Sequence, residues 1–205
     1  MTKDDARAWL SSRYSTRDVA RLSDYCGLLI AANDQQNLVA PSTVRSIWSR
    51  HIVDSAQLID LAPSDWQHWI DVGSGAGLPG IVVGILTGRR VTLVEPRRLR
   101  VEFLAECCKT LGLATVTVLA AKAQTAEIAD HADVVSARAV AKLDQLFSAC
   151  SRFSTKQTTY VLPKGSSAKS EVATARRSWQ GMFHVEQSIV DPDSGIVVAQ
   201  GVTLR

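Results

Sequence analysis

The sequence predicts an α/β protein whose mostly parallel seven-stranded sheet ends in an antiparallel hairpin and is preceded by a helical extension. Three observations carry this prediction. From Trp69 onward, short β-branched runs alternate with helical patterns, the signature of a parallel sheet wrapped by helices. A glycine-rich turn, "GSGAGLPG" from Gly73 to Gly80, joins the first of these strands to the helix that follows. The last two strand patterns are separated only by "DPDSG", a turn-rich link suited to a hairpin.

Residues 1–62 read as the helical extension and 63–205 as the main domain. In "STRDVARLSDYCGLLIAAN", Ser15 and Asp18 stand at capping-box spacing, and Val19, Leu22, Cys26, Leu29 and Ile30 fall on one face. After the polar break "NDQQN", a second pattern opens at Pro41-Ser42 and carries Val44, Ile47, Trp48, Ile52, Ser55, Ala56 and Ile59 at helical spacing, ending before Pro63. Such stripes are packing surface, so both helices are expected to lie against the sheet domain or to roof its cleft. Strands are expected at "HWIDVG", "RVTLVE", "TVTVLA", "ADVVSARA", "TTYVLPKG", "MFHVEQSIV" and "GIVVAQGVTL", with helices over about 78–87, 97–111, 122–129, 141–151 and 168–178.

Composition narrows the class. The chain has 205 residues, enough for one α/β domain with an extension but short for the two domains of a dehydrogenase. Its 46% apolar and 21% charged residues are those of a soluble globular protein. No apolar run could span a bilayer and "MTKDDARAWLSSRYS" has no signal-like apolar stretch, so a cytoplasmic location is expected. Cys26, Cys107, Cys108 and Cys150 lack metal-binding spacing and His51, His68, His131 and His184 are scattered, so no metal is expected. Between 138 and 177, Arg138, Lys142, Arg152, Lys156, Lys164, Lys169, Arg176 and Arg177 stand against only Asp144 and Glu171. Arg89, Arg90, Arg97, Arg98 and Arg100 form a second excess. Either a polyanion partner or a solvated face accounts for such clusters.

The glycine turn can be read in two registers. From Gly75 it is GxGxxG, which places a pyrophosphate at a helix N-terminus. From Gly73 it is acid-x-GxGxG, the loop type that passes under S-adenosylmethionine (SAM). Asp71 discriminates, because a carboxylate repels a pyrophosphate but attracts a sulfonium or ammonium group. The residues therefore favour SAM, with Asp71, Gly73, Gly75 and Gly77 in the loop. Glu95, at the end of the second strand, is placed to accept the ribose hydroxyls. With the closing hairpin, this is the pattern of the class I SAM-dependent methyltransferase fold, a Rossmann-like architecture.

Together with "SRHIVDS" (Ser49 to Ser55), "SARAVAKL" (Ser136 to Leu143) and "LPKG" (Leu162 to Gly165), the loop makes the chain resemble the RsmG family, also called glucose-inhibited division protein B. The resemblance runs from about Asn37 to Gly165. It implies methyl transfer from SAM to N7 of one guanine in the decoding-region loop of 16S RNA, with the small ribosomal subunit as partner. Carried over by motif, it implies that Gly73 and Leu78 contact the cofactor, that Ala123 and Gln124 bracket its adenine, and that Arg138 follows the fourth strand. Asn37, Arg50, His51, Asp54 and Ser55 would line the cleft above the cofactor, although Arg50–Asp54 and His51–Ser55 are also i,i+4 pairs that could simply bond within a helix. Arg50, His51, Arg138 and Lys164 are the candidate catalytic residues. Gln124 stands where the family commonly has glutamate and Val140 where it has phenylalanine; a glutamine can still hydrogen-bond an adenine edge. The protein is expected to act as a monomer.

Guanine N7 presents a lone pair, so transfer to it needs orientation rather than a general base. An exocyclic amine would call for an (Asn/Asp)-Pro-Pro-aromatic motif where "SARAV" stands, and cytosine C5 for a cysteine where the fifth strand gives Leu162-Pro163-Lys164. Arg138 could neutralise the SAM carboxylate, bond the guanine acceptor edge or hold phosphate. A small-molecule methyltransferase and a non-catalytic SAM- or RNA-binding accessory protein are the other classes that fit the loop.

Overall fold

A computed structural model describes residues 1–205. Two helices, α1 (Lys3–Ser11) and α2 (Thr16–Gln36), lead into an irregular helical segment from Pro41 to Leu61 and then into the sheet. The strands are β1 (His68–Val72), β2 (Arg90–Val94), β3 (Val116–Leu119), β4 (Val134–Ala137), β5 (Thr159–Gly165), β6 (Trp179–Gln187) and β7 (Gly195–Leu204). They lie in the order β3-β2-β1-β4-β5-β7-β6. The first five are parallel, and β7 inserts antiparallel between β5 and β6. The hairpin expected from "DPDSG" is therefore present, and its turn lies at the carboxyl edge of the parallel strands.

Alternation along each strand sorts the core into two layers. Trp69, Leu93, Val134 and Val161 face one layer with α2, α4 (Gly80–Thr87) and α5 (Arg98–Thr110). Ile70, Val94, Val135 and Leu162 face the other, with α6 (Leu143–Cys150) and α7 (Ala168–Ala175). Leu22, Tyr25 and Leu29 of α2 belong to the first layer, so the extension shares a core with the sheet. α2 starts as expected, with the Ser15 hydroxyl accepting from the Asp18 N–H at 3.2 Å.

Three expectations need correction. Ile30 is 43% exposed: the stripe Val19, Leu22, Cys26 and Leu29 is buried, and one further residue turns about 100° out of it. The helix expected over 122–129 is a single 3₁₀ turn, Ala123–Thr125. The regular helix expected after Pro41 is instead a 3₁₀ stretch (Pro41–Ser46), a π-helix (Trp48–Val53), one α turn, α3 (Asp54–Ala56), and a second 3₁₀ stretch (Gln57–Leu61). Its β-branched residues, Thr43, Val44, Ile47, Ile52 and Val53, weaken the preference for α winding, and its packing decides the rest.

Gly80 begins α4 where the helix touches the sheet: a Cβ there would lie 2.2 Å from Leu93 Cδ2 and 2.9 Å from Asp71 Cβ. Gly80→Ala is expected to lower stability by about 1–3 kcal/mol through this overpacking, measured by urea denaturation.

Candidate active site

The glycine loop is held from below. Asp71, at the end of the central strand, is completely buried. Its Oδ1 accepts from the Ser136 hydroxyl of β4 at 2.7 Å and its Oδ2 from the Gly80 N–H at 3.2 Å. Ser136 Oγ in turn accepts from Trp69 Nε1 at 2.8 Å. Burial raises the Asp71 pKa to about 6, and the bonds from Ser136, Ser74 and Gly80 restrain that rise. Tyr25 of α2 donates to the Ala76 carbonyl at 2.7 Å and ties the loop to the extension. Gly73 has φ +65, and a Cβ on it would sit 2.6 Å from Val140 Cγ2. The Gly75 N–H donates to Glu95 Oε2 and the Arg97 N–H to Glu95 Oε1, both at 2.9 Å.

Two cavities open at the carboxyl edge of the sheet. The larger, about 800 Å³, is lined by Gly73, Gly75, Leu78, Glu95, Ala123 and Gln124 among others. The smaller, about 530 Å³, is lined by Thr43, Arg50, His51, Asp54, Lys164 and Asp191 among others. Residues Arg138 to Ala141 line both and form the wall between them. In that wall Ala139 has φ +55, a conformation that L-residues adopt at a cost.

Arg138 is held at one guanidinium nitrogen by two groups. Its Nη1 lies 3.1 Å from His51 Nδ1 and 3.6 Å from Asp54 Oδ2. Burial first, then Arg138 and Arg50, lower the His51 pKa to about 4, so the ring is neutral near pH 7. Burial raises the Asp54 pKa, against the pull of the same two arginines. Lys164 is nearly enclosed: its ammonium donates to the Ala141 carbonyl and lies 3.1 Å from Glu171 Oε2.

The structure thus brings Gly73, Gly75, Leu78, Glu95, Ala123, Gln124 and Arg138 around one cavity, and Arg50, His51, Arg138 and Lys164 around the other. Asp71 and Gly77 line neither; Asp71 braces the loop, and Gly77 packs where a Cβ would meet Ile81 Cγ1 at 2.5 Å. Of the two intrahelical pairs, Arg50–Asp54 does not form, whereas His51–Ser55 does, through the His51 backbone carbonyl. Arg50 bonds Asp191 of the β6–β7 turn at 2.9 Å, and the Ser55 hydroxyl donates to the His51 carbonyl, not to its ring. π winding closes on i+5, so it removes the i,i+4 alignment that an Arg50–Asp54 pair requires. Thr43, Gln57, Ser188 and Asp191 carried no sequence signal. Gln57 Nε2 donates to Ser188 Oγ at 3.2 Å and Gln57 Oε1 accepts from the Ile189 N–H at 2.9 Å, a contact across more than half the chain.

The basic run does not form one face. Arg152, Lys156, Arg176 and Arg177 follow α6 and α7 at the edge opposite the cavities, where Lys156 O accepts from Gly201 and Arg176 packs on Phe183. Arg89 and Arg90 share that edge, bonded to Ser64, Trp66 and Asp130. Arg50 and Lys142 line the smaller cavity, and Arg97 and Arg100 the larger.

A seven-stranded sheet of this order, with a glycine loop after β1 and an acid after β2, defines a class I SAM-dependent methyltransferase fold. Among solved structures, the fold is shared with a SAM-dependent methyltransferase from Aquifex aeolicus (TM-score 0.61, 15% identity, 80% of this chain and 95% of that one). It is shared too with a variant of MtNAS in complex with S-adenosylmethionine (TM-score 0.60, 16% identity, 88% and 74%). The sequence profile of the rRNA small subunit methyltransferase G family, GidB, matches residues 18–194, and the chain belongs to that family. Proteins named ribosomal RNA small subunit methyltransferase G from Rhizorhabdus wittichii and Sphingopyxis alaskensis are 45% and 46% identical to it. They cover 100% and 98% of this chain, which spans 95% and 88% of theirs. No helix is long and apolar enough to cross a membrane.

The two shifted groups predict opposite pH effects. Between about pH 6 and its ordinary value of 3.8, Asp71 is protonated in the folded state before the unfolded one, so acidification through that window adds stability. His51, lowered from 6.5 to about 4, takes its proton first in the unfolded chain, so the same acidification removes stability. From pH 7 to pH 5, the urea midpoint of Asp71→Asn should fall further than that of the wild type, and the midpoint of His51→Gln should fall less.

Proposed function

We propose that this protein transfers the methyl group of SAM to N7 of a guanine in the decoding-region loop of 16S RNA. The observation that carries this reading is that the two cavities adjoin, with Arg138–Ala141 lining both, so that a methyl donor in one would lie beside an acceptor in the other. SAM supplies an electrophilic methyl carbon that passes to N7 as the carbon–sulfur electron pair returns to sulfur.

The larger cavity has the volume and donor set for SAM. Glu95 spends one lone pair of each carboxylate oxygen on a backbone N–H, and the others remain for ribose hydroxyls. Ala123 and Gln124 would stand beside the adenine, and Gly73 in the loop would lie along the methionine portion. The GxGxxG alternative is disfavoured, because the Gly80 N–H at the start of α4 is already bonded to the Asp71 carboxylate.

The smaller cavity suits guanine. Arg50, Arg138 and Lys164 bring cations toward O6 and phosphate, while Asp54, Glu171 and Asp191 offer acceptors for the N1 and N2 donors. The one histidine there is neutral and accepts from Arg138, so it is not poised to remove a proton, and N7 transfer asks for none. Catalysis then rests on orientation and desolvation. The cations at the cavity edge would follow the RNA backbone.

Pure protein incubated with labelled SAM and small subunits from a strain lacking the enzyme should label a single guanine at N7. Label confined to a small molecule, or SAM binding without transfer, would favour the other two classes. Glu95→Gln turns an amide NH₂ toward one of the two backbone donors and is expected to weaken SAM binding by about 1.5–3 kcal/mol, measured by calorimetry. Arg138→Ala should lower kcat roughly a hundredfold through misplacement of the acceptor.

A further inference from the structure

We propose that Thr43 is a positioning residue for Arg138, acting through the His51 imidazole. The proposal rests on the reading of the smaller cavity as the acceptor site. Arg138 Nη1 lies 3.1 Å from His51 Nδ1, and Thr43 Oγ1 lies 2.7 Å from His51 Nε2. A guanidinium has donors only, so Nδ1 is the acceptor and carries no proton. The neutral ring then holds its proton on Nε2 and donates it to Thr43 Oγ1. The Thr43 hydroxyl donates onward to the Ala40 carbonyl at 2.7 Å.

Each hydrogen in this chain has one direction, from the guanidinium through the imidazole and hydroxyl to a backbone carbonyl. The opposite tautomer would set Nδ1–H against a guanidinium N–H. The chain ends at the first turn of the Pro41–Ser46 stretch, where Thr43 N also donates to Ala40 O at 2.8 Å, so the anchor is backbone. With Asp54 Oδ2 3.6 Å from the same Nη1, that nitrogen is held by two groups while the Nε and Nη2 N–H groups stay available to the cavity. Without the Thr43 hydroxyl, a half-enclosed Nε2–H loses its acceptor, and the ring no longer has a unique orientation.

The test uses full-length protein labelled with ¹⁵N in its imidazoles, with His51 assigned through His51→Gln. At pH 7, long-range ¹H–¹⁵N spectra should show His51 with Nε2 protonated and Nδ1 bare. Thr43→Val should give a tautomer mixture and lower kcat on small-subunit RNA roughly fivefold to tenfold, with the SAM Kd within about twofold. Thr43→Ser, which keeps the hydroxyl, should restore both readouts. A wild-type His51 with Nδ1 protonated overturns the relay. So does a Thr43→Val protein with a single Nε2–H tautomer and wild-type kcat, or a Thr43→Ser protein as impaired as Thr43→Val. If the wild-type protein methylates no RNA, the acceptor-site reading fails, and the tautomer alone decides the relay.

Discussion

An ionisable carboxylate without solvent contact stands at the carboxyl end of the central strand, and the site is arranged around keeping it there. Asp71 is held by Ser136 from the neighbouring strand and by the first N–H of α4, and Trp69 completes the chain of donors. Burying a charge is costly unless donors replace water, so these partners must be brought together whenever the sheet forms. Their convergence fixes where β1 ends, where α4 begins and how the intervening glycine loop is suspended. Glu95 performs the corresponding task above the loop, accepting as many bonds as Asp71 but lining a cavity, so that its remaining lone pairs are open to a ligand.

The second cavity depends on elements remote in sequence. One wall comes from the irregular helical segment and the other from the β6–β7 turn, and Arg50–Asp191 and the Gln57 bonds join them. The extension therefore lines the second cavity. Its π winding matters because it separates residues that an α-helix would pair: Arg50 is released toward the hairpin turn, and Asp54 and His51 close on Arg138. The strain at Ala139 lies in the same wall, next to Val140, whose side chain fills the space beside Gly73.

Charge is partitioned in a way that a count along the chain does not reveal. α6 and α7 each run from the cavity edge to the opposite edge, so a basic segment that includes their ends is divided between two faces. At the far edge Arg89 bonds backbone carbonyls, Arg90 an acid and Arg176 lies over an aromatic ring, while near the cavities Arg50 and Arg98 pair with acids and Arg97 is exposed. The basic residues that share one edge with the cavities are thus fewer than the sequence excess.

The sheet, its closing hairpin and the loop were legible because each is written locally: strand alternation, a turn of five polar or small residues, and glycines where a positive φ or a close contact leaves no room for a side chain. Membership of the family was legible for the same reason, through contiguous motifs. The roles of individual residues were less so. Asp71 reads from sequence as a ligand to the cofactor, whereas its carboxylate is consumed inside the protein. Arg50 and Asp54 read as a helical pair, whereas each bonds a partner more than eighty residues away. By itself the sequence determined the fold, the loop and the family, since short-range periodicity and steric need suffice for these. Only the tertiary structure decided which polar groups face a cavity and which face one another, because long-range packing sets the distances on which hydrogen bonds and burial depend.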